Sequence, residues 1–223
     1  KLNANTQHDP TPFSQCLKEV YLSLVELIKQ YQQQNITQAT LQKTLAFSSQ
    51  FIDLGKRYPN QLVAQLQFYK PSASFFTNLT FNQVLATYIV ASRNQWNDTA
   101  MQHLLCSCVC QFSGLAGSIE QWSQNSETQI QRKQITQHNM PLMRALLKWK
   151  LDIWLEGVKH AELRWHSHHE RTLNPIAHQS TTLKVLAISN CIALYMTRTQ
   201  HTKALNFSQT LRLIARKITA CDY

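Results

Sequence analysis

The sequence predicts an all-helical protein. Breakers are scarce, with four glycines and six prolines among 223 residues. The remainder is rich in Leu, Gln and Ala, which favour helices. Apolar residues recur every three or four positions along most of the chain, and no run alternates as a half-buried strand would.

The first helix is expected to start at Thr11-Pro12, a capping residue followed by Pro at the first helical position. It carries Leu17, Val20, Tyr21, Leu24, Leu27, Ile28 and Tyr31, and ends in the polar run Gln32 to Asn35. Thr37 caps a second helix with Leu41, Leu45, Phe51 and Ile52, and Gly55 suits its C-terminal stop. A short helical stretch around Leu62 to Phe68 ends at Pro71. Phe81 to Arg93 places Val84, Leu85, Tyr88 and Ile89 on one face. Asn97 or Asp98 caps the next helix, with Leu104, Leu105, Cys108 and Val109, which Gly114 and Gly117 break. Glu127 to Gln137 reads as a polar surface helix, and Pro141 as the start of a run through Trp149, Trp154 and Val158. Trp165 to Ser180 is His-rich and reads as a loop. Thr181 caps an apolar helix through Met196, and Asn206 or Ser208 starts the last one, with Leu211, Leu213, Ile214 and Ile218.

A chain of this length can bury a sizeable core. Residues 1–72 read as an N-terminal helical extension and 73–223 as the main domain. No apolar run approaches the roughly 20 residues that span a bilayer, and the first fifteen residues lack the apolar stretch of a signal peptide. The six cysteines lack the spacing of a disulfide framework, so a reducing cytoplasm is the simplest setting. Net charge is +10, and it is lopsided: from Gln131 onward there are fourteen Lys/Arg against five Asp/Glu. Such a surface suits an anionic partner. No basic cluster is dense or aromatic-interleaved enough to favour nucleic acid.

The strongest pattern lies near the C-terminus. Trp165-His-Ser-His168-His169-Glu170-Arg171 is followed, after a short loop, by Thr182-Leu-Lys-Val-Leu-Ala-Ile-Ser-Asn190. Then come Thr197-Arg198-Thr-Gln-His-Thr-Lys203-Ala204-Leu205 and an amphipathic helix. This order resembles the second half of the HD-GYP phosphodiesterases of bacterial cyclic-di-GMP signalling. There, a His-His-Glu-Arg element leads into a Gly-Tyr-Pro loop, then a helix with a metal-binding Asp, then an Arg-Pro-Tyr-Arg-Lys-Ala-Leu turn. In the first half, Phe76 to Val84 resembles the segment that opens that catalytic core. Cys106 to Gly114 falls where an apolar helix ends in the His-Asp pair, and His138 where a lone His follows it. The match covers residues 73 to 220 and rests on order and spacing.

The resemblance implies an HD-domain-like helical bundle, with two or three iron-type ions held by His and carboxylate ligands. Such ions activate water and stabilise charge on the attacked phosphate. Here most of those ligands are replaced. Thr80 stands at the early His position and Phe76 at the acidic position one turn before it. Gln111 and Phe112 replace the His-Asp pair, Leu115 the Lys after it, and Asn190 the Asp of the penultimate helix. Leu173 to His178 replaces the Gly-Tyr-Pro loop. His138, His168 and His169 remain. Three imidazoles could hold a single divalent ion but not readily a multi-metal centre, whose cations need anionic ligands. Apolar closure of the old pocket by Phe76, Phe112 and Leu115 is expected.

The reading that follows is a catalytically inactive HD-GYP-like signalling or scaffold domain that binds a protein partner and needs no cofactor. A second is a receptor for cyclic-di-GMP or another anionic nucleotide, with Arg164, Arg171, Lys184 and Arg198 as anion-binding groups. Stacking of a base on Trp149, Trp154 or Trp165 weighs less than core packing. A third is a metallohydrolase with the His-only site. Cys106, Cys108 and Cys110 lie two apart on a helix, so they face different ways and read as packing residues, with His103 one turn upstream.

Overall fold

The computed structural model describes residues 12–67, 73–124, 132–159, 161, 180–197, 199 and 203–219. These are helical throughout, without strands. The helices are α1 (Phe13–Gln32), α2 (Gln38–Arg57), α3 (Pro59–Ala64), α4 (Phe75–Arg93), α5 (Asp98–Cys110), α6 (Ala116–Gln124), α7 (Arg132–Lys148), α8 (Asp152–Lys159), α9 (Thr181–Met196) and α10 (Phe207–Thr219). Short 3-10 turns follow α3 (Gln65–Gln67) and precede α6 (Ser113–Leu115).

The bundle is organised around α4. Fifteen of its nineteen residues are buried, from Phe75 through Tyr88 and again at Ala91. It packs on α9, α5, α6 and α1. A helix enclosed on every side needs no amphipathic stripe, which is why its first turn is not legible as periodicity. The sequence suggests a start at Phe81, but the helix begins six residues earlier. Ser74 caps it, accepting from the Thr77 N–H at 3.1 Å. Glu120 of α6 accepts from the Phe76 and Phe75 N–H groups at 2.7 and 3.3 Å. A carboxylate there meets orphan donors and the positive end of the helix dipole together.

The amphipathic helices follow their sequence pattern. α1 buries Leu17, Val20, Leu24, Leu27, Ile28 and Tyr31. α2 buries Leu41, Phe47, Phe51 and Ile52, and Thr37 caps it through the Thr40 N–H. Both helices pack on α5, and Phe51 and Tyr21 meet Phe81 of α4 edge-on or tilted, with centroids 6.1 and 5.6 Å apart. The N-terminal helices thus share one hydrophobic cluster with the rest of the described chain. Asn97 caps α5 through the Ala100 N–H. Asn206 and Gln209 form a reciprocal capping box at α10.

Several boundaries differ from the sequence pattern. Thr11 lies outside the described residues, and Pro12 is the residue before α1, in extended backbone. Gly55 does not end α2, which continues to Arg57. A Cβ at Gly55 would stand 2.2 Å from the Tyr88 ring, so the glycine serves close packing on α4. Gly114 and Gly117 do not break α5, which ends before them at Cys110; Gly117 sits within α6. Pro141 lies inside α7, not at its start. Ser180, not Thr181, caps α9, accepting from the Leu183 N–H at 3.4 Å.

Three connections close in one way. Gln34, Gln95 and Lys150 each adopt φ 55° directly after a helix. The next N–H reaches back five residues, as Asn35 to Gln30, Trp96 to Ala91 and Leu151 to Leu146. This is the Schellman closure, built on residues with a Cβ. It was not legible because no glycine marks it.

Candidate functional site

Positions that carry the sequence resemblance lie along the buried faces of α4, α5 and α9. On α4, Thr80, Gln83 and Thr87 are spaced i, i+3 and i+7 and therefore share a face. All three are buried. The Gln83 side-chain amide donates to the Asn190 Oδ1 of α9. Thr87 pairs with the Cys108 thiol of α5 at 3.1 Å. One position from this stripe, Asn82 donates to the Thr197 hydroxyl at 2.9 Å. The Thr80 hydroxyl is buried and finds no hydrogen-bond partner among the described residues.

The other replaced positions are also interior. Gln111 and Phe112 are each 2% exposed, at the turn after α5, and Phe76 and Leu115 are likewise buried in the main cluster. Phe76 also lines a cleft of about 460 Å³ with Tyr21, Val25 and Ile28 of α1 and Gly117 and Glu120 of α6. His138 is exposed on α7 and stands beside Gly114: a Cβ there would lie 3.2 Å from its Nδ1. The structure thus brings the retained His next to the turn that holds Gln111 and Phe112. His168 and His169 lie outside the described residues, as do Arg164, Arg171, Arg198 and Trp165. Lys184 is exposed in the first turn of α9.

The cysteines diverge as their spacing requires. Cys106 meets Ser48 of α2 at 3.1 Å, Cys108 meets Thr87 of α4, and Cys110 accepts the Trp154 indole N–H of α8 at 2.9 Å. Burial pushes the Cys106 thiol up to about 12 and raises Cys110 well above the ordinary thiol range. Neither is a thiolate at neutral pH, so neither is a ready nucleophile or metal ligand. Trp154 is wholly buried and offers no free stacking face, and Trp149 is half-buried against the core.

Chemically, the stripe offers amides, hydroxyls and thiols. They can orient one another and fix the register of α4 against α9. They carry no negative charge to offset bound cations, and no group of suitable basicity for general base work. Among the described residues no three His, Cys, Asp or Glu side chains gather as a metal site. None of their helices is long and apolar enough to cross a membrane.

Gln83 escaped the sequence reading, although a signal was present. A glutamine on a buried helix must find a partner, and Asn190 is the buried amide that supplies one. Glu120 also escaped, because its role at the start of α4 depends on a contact 44 residues away. No protein-family model, curated protein or solved structure matches the chain.

Proposed function

We propose that the chain is an HD-GYP-like domain that does not hydrolyse cyclic-di-GMP and acts instead by binding a protein partner. The observation that carries this reading is the bond between Gln83 and Asn190. In the resemblance, position 190 is that of a metal-binding Asp. An amide there contributes no charge, and its oxygen is already engaged by a buried donor. Two adjacent divalent cations in such an interior would lack the anionic oxygens that neutralise them. A cytoplasmic setting belongs to the same reading, supported by Cys16, Cys106, Cys108, Cys110 and Cys191 forming no disulfide among the described residues.

The test is enzymatic. Purified protein supplied with ferrous iron or manganese should leave cyclic-di-GMP intact. Rapid hydrolysis, lost on Asn190→Leu substitution, would overturn the proposal.

A further inference from the structure

α7 leaves part of its apolar surface exposed. Positions 139, 142 and 146 point inward, with Asn139, Leu142 and Leu146 buried. Positions 140, 143 and 147 each follow one of these and so form an adjoining strip about 100° round the helix. There Leu147 is 62% exposed, Met140 is 39% exposed, and Met143 is half-buried. Single exposed apolar residues are ordinary. Met140 and Leu147 at i and i+7, with Met143 between them leaning on the core, leave a narrow apolar strip on which a partner helix can pack. It holds two of the chain's four methionines, whose flexible thioethers adapt to a partner.

Charge narrows the partner. Arg144 and Lys148 flank the ridge, spaced i, i+4, and both are exposed. Like charges at that spacing repel. No ion pair found among the described residues involves either one. α7 itself contains no Asp or Glu.

We infer that this ridge, Met140, Met143 and Leu147 flanked by Arg144 and Lys148, docks an acidic amphipathic helix of a partner protein. The inference rests on the binding role proposed above and gives that role a surface. Apolar residues of the partner would cover the ridge while its carboxylates meet the two cations, which steers encounter and sets orientation. A second copy of the chain fits poorly, because a two-fold contact would bring the same cations together. A lipid surface fits poorly too. The apolar ridge is narrow and lacks aromatic anchors, and the adjoining apolar face is committed to the core.

The test uses a designed, fluorescently labelled helical peptide of about five turns, with leucines at i, i+3, i+4 and i+7 and glutamates elsewhere. Controls are a scrambled peptide and one with lysine for glutamate. Anisotropy should show binding of the acidic amphipathic peptide alone. Leu147→Asp and Arg144→Glu should each weaken it by about tenfold or more, while Arg212→Glu on α10 should not. Both altered residues are exposed, and circular dichroism confirms that the variants fold. Equal binding of the scrambled peptide, or unchanged affinity in Leu147→Asp, would overturn the inference. So would a homodimer in sedimentation, or capture by phosphatidylserine vesicles, that Leu147→Asp abolishes. Turnover of cyclic-di-GMP with peptide binding intact would sink the non-hydrolysing reading alone. Lost peptide binding without turnover would sink the α7 surface alone.

Discussion

Gln83 and Asn190, 107 positions apart, share one hydrogen bond inside the most enclosed helix pair of the protein. The bond matches a buried donor of one amide to the acceptor oxygen of the other, which lowers the cost of burying both. Replacing Asn190 by Asp would place a carboxyl in the same cage, and no Lys or Arg is buried there among the described residues. Its ionised form is disfavoured there, while the unfolded chain ionises freely above about pH 4. Stability of Asn190→Asp should therefore fall as pH rises, reaching a deficit of about 3 kcal/mol at pH 8 and less at pH 5. Urea titrations at both pH values check this. A deficit that does not depend on pH would show that the site is open to water.

Gly157 lets α8 lie directly on α5. A Cβ at that position would stand 2.3 Å from the Ser107 Oγ and 2.7 Å from its Cβ, with Leu186 of α9 at 3.1 Å. Ser107 is held in place by bonds to the carbonyls of His103 and Trp154. Gly157→Ala should cost about 1–3 kcal/mol by overpacking. Ser107→Gly in the same chain should return part of that loss, which a double-mutant cycle measures.

Gln95 closes α4 with φ 55°, where a Cβ is strained and glycine is not. It is exposed and lies outside the core. Gln95→Gly should raise stability by about 0.5–1 kcal/mol, read as a higher urea midpoint with the same slope. A lower midpoint would mean that the side chain contributes more than the backbone strain costs.

His103 is half-buried on α5, and desolvation lowers its pKa from the ordinary 6.5. Its Nδ1 is buried and finds no hydrogen-bond partner among the described residues. The unfolded chain then binds a proton there more readily than the native one. Stability is retained above pH 6.5 and lost as pH falls through the lowered native value. His103→Gln should flatten this acid limb. Urea midpoints at pH 5 and pH 7.5, compared between the two proteins, isolate the contribution from that of the other histidines.

Much of the helical order was legible locally. The α1 stripe, the Thr37 and Asn97 caps and the Asn206 start of α10 each depend on residues a few positions apart. Their chemistry acts within one turn, so sequence spacing suffices. Pro141 misled for the converse reason. Proline reads as a helix start, yet within α7 the turns on either side of it continue the helix.

Among the candidate site residues, sequence alone determined the charge of the interior. Gln111, Phe112, Asn190 and Thr80 are neutral in any fold, and no packing can make them anionic. Only the tertiary structure decided that Asn190 meets Gln83, that Gly55 and Gly157 mark close helix crossings, and that Leu147 of α7 faces water. Those outcomes join residues tens of positions apart. They are set by which surfaces the bundle must bury together, a global balance of volume and desolvation that no local pattern encodes.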